Sequence, residues 1–307
     1  MANITGTDQI GPGAEVYYDR VLLERAEYEL IFDKYGQTRN IPSKSSDSIK
    51  FRQYSNLATA TTPLTEGVTP SGSALSSSDI VATVKQYGDY ITITDMVQFI
   101  VEDNVLNEGV NILAQQMGET KDELARDVLA STASIYNCTN GTNGGTPTEL
   151  NEVDINKVTT SLMTAKAKRF APMLSGSNKN GTAPVEQSFW ALGHTDMAED
   201  LRNLAHFKTV DQYGTMGSIQ NSEFGAVSNT RWILSPNGIV SSGTYGSIVL
   251  GQNAYGTTAL KEGISSMIFQ GPTDPLKQRS TQGWKNLSAV VLLNENYMTK
   301  INSTLGA

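Results

Sequence analysis

Residues 55–79 form a 25-residue run between two β-branched stretches, and the run has almost nothing to bury. It carries Pro63, Gly67, Pro70 and Gly72 among serines and threonines. Before it, 48–54 alternates Ile49 and Phe51 with polar residues, the period of a strand. After it, 80–93 is again β-branched, with Tyr87 and Tyr90, and reads as one strand. A polar excursion this long is rare inside a compact domain unless it is functional or disordered. The pattern predicts an extended hairpin that projects from the body. Such a hairpin cannot cover its own apolar residues, so a partner must.

The second constraint is a long helical pattern over 104–136. Leu106, Val110, Leu113, Met117, Leu124, Val128 and Ile135 follow one another at helical spacings, with Glu108, Glu119, Asp122 and Glu123 assigned to other faces. At 1.5 Å per residue this predicts a rod of roughly 50 Å. Gly109 and Gly118 weaken the rod by about 1 kcal/mol each relative to alanine, so packing must hold it, and both permit close approach by a neighbour.

Around these two features the chain divides further. Residues 1–13 read as an arm. Tyr17, Val21, Tyr28, Ile31 and Tyr35 share a stripe of a helix over 14–35, with Gly36 as its stop. Residues 37–47 read as loop. Asp95 with Gln98 has capping-box spacing at a helix start. After a Gly/Asn-rich loop at 137–148, Asn151 and Asp154 open a helix to about Arg169. The remainder reads as strands at 189–192, 230–234, 247–250, 267–269 and 283–293, with a short helix at 196–204. The apolar end of 283–293 places that strand centrally in a sheet.

Composition then removes several classes of function. The net charge of -8 argues against a protein held to DNA or anionic lipid by charge. One cysteine excludes an internal disulfide framework, and one Cys with two His is short of a usual structural zinc set. No apolar run approaches the ~20 residues of a membrane helix. No basic, apolar-cored leader opens the sequence, so a soluble intracellular product without membrane association is expected. With 28 Ser, 32 Thr and 22 Asn, the polar surface is largely uncharged.

Catalytic signatures are missing. There is no Gly-Lys pair for a phosphate loop, no strand-linked dinucleotide fingerprint and no nucleophile elbow. His194 and His206 stand too far apart to share a helical turn. Cys138 reads as an unreactive thiol. Lys166, Lys168 and Arg169 form a short basic patch that complements a helix end. The expectation is a non-enzymatic chain with no catalytic, cofactor or metal site.

Five segments, in this order, resemble a known family: Leu64-Thr65-Glu66-Gly67-Val68-Thr69-Pro70; 85–95, from Lys-Gln-Tyr-Gly-Asp-Tyr to Thr94-Asp95; the His…Asp-Met…Asp-Leu-Arg run from His194 to Arg202; Glu223-Phe224-Gly225-Ala226-Val227; and Asp274-Pro275-Leu276-Lys277-Gln278-Arg279 with Gly283-Trp284-Lys285. Together they are similar to the major capsid proteins of tailed bacteriophages, of the subfamily typified by the podophage N4.

The resemblance implies an α+β, HK-ninety-seven-like capsid fold with five parts: an N-terminal arm at 1–45, an E-loop at 46–92, a P-domain with a spine helix at 93–150, an A-domain at 151–272, and P-domain C-terminal strands at 273–307. It implies subunit contacts through the E-loop residues Ile49, Phe51, Tyr54, Leu64, Glu66 and Val68. Glu66, in a polar tip with no basic residue beside it, reads either as the partner of an Arg or Lys on an adjacent subunit or as a solvated turn carboxylate. The resemblance implies spine packing through Leu106, Val110, Leu113, Met117, Leu124 and Val128. The expected function is self-assembly, as hexamers and pentamers, into an icosahedral head shell in the virion, put together in the host cytoplasm. The shell encloses double-stranded DNA without strong specific binding. A separate scaffolding protein, a portal and decoration proteins are the further partners. Lys44, Lys50 and Lys85 read as ordinary surface lysines rather than cross-linking ones. An encapsulin-like protein compartment, or a tail or decoration protein, is the alternative.

Overall fold

The structure, a computed structural model, describes residues 30–40, 48–54, 57–69, 71–95, 105–170, 185–213, 222–259, 265–272 and 275–306. In chain order it begins with strands β1 (Gln37–Arg39), β2 (Ser48–Tyr54), β3 (Ser77–Thr83) and β4 (Lys85–Thr94). Helix α1 (Val105–Ala130), strand β5 (Ile135–Asn137) and helix α2 (Glu152–Thr164) follow. Next come β6 (Phe189–His194), α3 (Ala198–Asn203), β7 (Lys208–Thr209), β8 (Glu223–Val227) and β9 (Thr230–Ser235). The chain continues with β10 (Ile239–Ser241), β11 (Thr244–Leu250), β12 (Tyr255–Thr258) and β13 (Ser265–Gln270). It closes with β14 (Arg279–Ser288), β15 (Val290–Leu292) and β16 (Met298–Ser303).

The largest sheet has the order β5-β16-β11-β6-β9-β8-β7, with β10 paired to β11. Its central strand β6 is apolar and buried from Phe189 to Gly193 because both faces are covered. Phe189 and Ala191 pack on one side against Ile155, Val158 and Leu162 of α2 and Leu201 of α3. Trp190 and Leu192 pack on the other against Tyr35, Leu129 and Tyr255. The period-2 alternation thus separates two cores.

A second sheet, β13-β14-β4, carries α1 on one face through Leu113, Ala114, Met117 and Trp284. Further along, Ala125 and Leu129 of α1 enter the core of the large sheet. One helix therefore joins two packed bodies. Two small sheets complete the fold: β1-β12-β15, and the hairpin β2-β3.

Several expectations need correction. The long helix ends at Ala130 rather than at Tyr136, giving roughly 39 Å. There Ser131 Oγ donates to the Val128 carbonyl at 2.6 Å and Lys300 Nζ to the Ala130 carbonyl at 2.8 Å. These donors satisfy the last turn, and Ile135 is free to pair with Lys300 in β5. Residues 30–36 are not helical, because the N–H groups of Ile31 and Phe32 bond to Asp122 instead of to a preceding turn. The rest of the expected 14–35 helix, the arm at 1–13, and Gln98 of the capping box lie outside the described residues. Residues 37–39 are strand, paired in parallel with β12. The stretch 80–93 is two strands parted at Val84: β3 follows β2, and β4 turns away to follow β14. Helix α2 stops at Thr164, short of Arg169. The 283–293 stretch is also divided. β14 is the centre of its sheet, while the apolar β15 is an edge strand with Val290 and Val291 packed into different clusters.

Candidate functional site: a projecting hairpin and its anchorage

Alternation in β2 sends Ile49 and Phe51 to one face and Lys50 and Arg52 to the other. β2 and β3 pair over their full length, from Ser48 opposite Thr83 to Tyr54 opposite Ser77. At the root, Ile49, Phe51 and Ala82 pack with Ala289, so Ile49 and Phe51 are buried within the chain and not held open for a neighbour. The Phe51 ring lies so close to Gly256 that a Cβ there would fall 2.5 Å from it. Arg39 stands over the ring, 5.4 Å from its centroid, and donates to the Lys50 carbonyl at 3.1 Å. On the outer face Arg52 grips Asp79 with two bonds of 2.9 and 3.3 Å, which holds the Asp79 carboxyl below its ordinary range.

Beyond Tyr54 and Ser77 the ladder ends, and the described residues 57–69 and 71–76 are all exposed. Their apolar members are Leu57, Leu64 (77% exposed), Val68 (63%) and Leu75. Tyr54 is exposed as well. Glu66 occupies a turn closed by Val68 N–H donating to the Thr65 carbonyl at 3.2 Å. Gly67 has φ +77° there, the third-residue conformation of a type II turn.

The chain leading to the hairpin is tied down by a buried polar cluster. Asp122 Oδ1 accepts the N–H groups of Ile31 (2.7 Å) and Phe32 (2.6 Å). Asp33 accepts Thr257 Oγ1 at 2.6 Å and faces Lys121 Nζ at 2.8 Å. Lys121 Nζ also donates to the Thr258 carbonyl at 3.1 Å. Tyr255 donates its hydroxyl to the Phe32 carbonyl and accepts from the Tyr35 N–H. Burial, reinforced by the Asp33 charge, raises the Asp122 carboxyl to about 6 against the pull of its N–H donors.

This cluster was invisible from the sequence, which placed Asp122 on an outward face. On the helix, Lys121 and Asp122 fall in the path of the buried stripe from Met117 to Ala125, where charged residues signal a paired interior site. The predicted stripe holds at Val110, Leu113 and Met117, all buried. It then drifts: Leu124 and Val128 are only half-buried, and Ala125 and Leu129 take the core positions. The Leu106 side chain lies outside the described residues. Gly109 meets Gln282 and Ile91 so closely that a Cβ would come within 2.6 Å of the Gln282 Oε1. Two turns further, Trp284 Nε1 donates to Gln116, which donates to Asp89, bridging α1 to its sheet.

Among the described residues no group of three or more His, Cys, Asp or Glu side chains could hold a metal. No described helix is long and apolar enough to cross a membrane. Burial pushes the Cys138 thiol up to about 12. His194 Nδ1 caps the turn at Asp196, and His206 pairs with Glu152 at 2.8 Å. Lys50 and Lys85 are exposed, and Lys44 lies outside the described residues.

No curated protein sequence matches the chain significantly. Solved structures do resemble it. The capsid of Ralstonia phage GP4 matches with a TM-score of 0.66 and 13% identity, covering 90% of this chain and 89% of that one. The capsid of cyanophage P-SCSP1u matches with a TM-score of 0.62, also at 13% identity, over 90% and 89%. The head of Helicobacter pylori bacteriophage KHP40 matches at 0.59 and 11% identity, over 90% and 88%. The fold is therefore the α+β, HK-ninety-seven-like fold of tailed-phage capsids. A family model described as phage capsid protein matches residues 77–293, well over half of the sequence, and the chain belongs to that family.

Proposed function

We propose that this chain is the major subunit of an icosahedral phage head and that its projecting hairpin links neighbouring copies around packaged double-stranded DNA. The observation that carries the reading is the contrast within the hairpin. Its root is fixed by Ile49 and Phe51, while Leu57, Leu64, Val68 and Leu75 stay exposed on a segment whose described residues pair with no strand. Exposed apolar side chains on a projecting hairpin favour coverage by another surface. Each such side chain contributes about 1.5–3 kcal/mol on burial, before loop ordering is subtracted. Repetition at every subunit contact then gives a durable shell.

On this reading 1–45 is the arm and 46–92 the E-loop. The P-domain is 93–150 with 273–307, and the A-domain is 151–272. Helix α1 serves as the spine, and hexamers and pentamers are the building units. A separate scaffolding protein, a portal and decoration proteins complete a head formed in the host cytoplasm. The segments around Glu66, Tyr87 and Trp284 favour the N4-like subfamily. The net charge of -8 suits a wall that encloses DNA without gripping it.

Particle contents test the reading. Particles recovered from infected cells should hold nuclease-protected duplex DNA, and purified subunits should leave free duplex unbound in physiological salt. Particles filled with protein and free of DNA would instead indicate a compartment of the encapsulin kind.

A further inference from the structure

Beside the hairpin root lies an open crevice of about 420 Å³. Arg52, Lys166 and Lys168 line it, together with the apolar or aromatic side chains of Tyr54, Leu293 and Tyr297. Its lining holds three cations and no carboxylate, in a chain with 31 acidic and 23 basic residues. Arg52 is committed to Asp79. Among the described residues no ion pair involves Lys166 or Lys168.

The backbone at Lys166 adds an independent observation. Helix α2 ends in a Schellman turn, with Ala167 N–H on the Leu162 carbonyl at 3.0 Å and Lys166 N–H on the Met163 carbonyl at 2.9 Å. Lys166 is the left-handed residue of that turn, with φ +61°. Glycine is the usual choice there, and a lysine is kept against a steric cost. The segment is not loose: Gln252 donates from its backbone to the Lys168 carbonyl at 2.9 Å and from its side chain to the Arg169 carbonyl at 3.0 Å.

We infer that this crevice receives the Glu66 turn of a second copy, with the Glu66 carboxylate between Lys166 and Lys168. The turn matches the crevice in kind. Glu66 is exposed and makes no ion pair among the described residues, and it is flanked at two-residue spacing by the exposed Leu64 and Val68. Tyr54 and Tyr297 offer those two an apolar wall. The inference rests on the shell reading and names the contact partner within it.

Zero-length carboxyl–amine cross-linking of particles assembled from mixed heavy- and light-isotope subunits tests it. The expected product joins Glu66 of one isotope to Lys166 or Lys168 of the other. Lys166→Gly should raise the melting temperature of the subunit by about 2 °C, yet raise the concentration needed for assembly about fivefold. Lys166→Glu with Lys168→Glu should block assembly, and adding Glu66→Lys should restore it. Particles without the mixed cross-link, or a charge swap that restores nothing, would overturn the inference while leaving the shell reading in place. So would normal shells from the double-Glu variant that fail only to retain DNA, since the lysines would then serve phosphate. Wild-type subunits that form no shells would overturn the shell reading and this contact with it.

Discussion

The Asp122 carboxylate accepts the backbone N–H of Phe32 at 2.6 Å, tying the long helix to a segment 90 residues earlier. With the Lys121–Asp33 pair beside it, this contact fixes residues 31–33 against α1. Breaking the pair from one side leaves a buried charge without its partner. Lys121→Ala should therefore destabilise the fold by about 3–5 kcal/mol, measured by denaturant unfolding of the unassembled subunit.

The same carboxylate sets a pH dependence. Its folded value is about 6, above its ordinary 3.8, so the folded state holds the proton more tightly than the unfolded one. The stabilisation from that proton is complete below about 3.8 and is lost as pH rises through 6. Asp122→Asn keeps an acceptor for Ile31 and Phe32 but cannot titrate. Between pH 7 and pH 4.5, wild type should gain about 2 kcal/mol relative to Asp122→Asn. Parallel pH profiles for the two proteins would remove this assignment.

Phe51 and Gly256 form a second coupled pair. Phe51→Ala should cost about 3–5 kcal/mol. Gly256→Ala should cost about 1–3 kcal/mol, because the added methyl meets a buried ring. In the double variant the ring is gone and the two effects should fall short of their sum. Limited proteolysis in 57–76 should accelerate in each single variant.

The exposed tip should behave in the opposite way. Leu64→Ser with Val68→Ser removes two side chains that touch no core, so the subunit's melting temperature should change by less than about 2 °C. Shell yield, read by sedimentation, should fall sharply.

Cys138 is fully buried, and its thiol lies far above neutral pH. A thiol reagent at pH 8 should leave native protein unlabelled and modify it only after unfolding.

The sequence disclosed those parts of the fold whose cause is local. The β2 strand followed from the alternation of Ile49 and Phe51, and the start of α2 from Asn151, whose side chain does accept the Asp154 N–H. Contacts between distant segments were hidden. β1 exists because Gln37 pairs with Gly256, and nothing near Gln37 announces that. The role of Asp122 was hidden for a related reason, since a carboxylate reads as a solvent-facing residue until its three backbone donors are in place. Of the candidate site, exposure of Leu64, Glu66 and Val68 was legible from the polar run around them. That Ile49 and Phe51 are covered by their own chain depended on Ala289, more than 200 residues away.

The central claim is that the chain builds a closed shell, and electron microscopy of the purified, overexpressed protein tests it most directly. The account predicts closed particles with icosahedral arrangement of pentamers and hexamers, alone or once a scaffolding protein is supplied. Fibres, open rings or dispersed monomers under both conditions would contradict it.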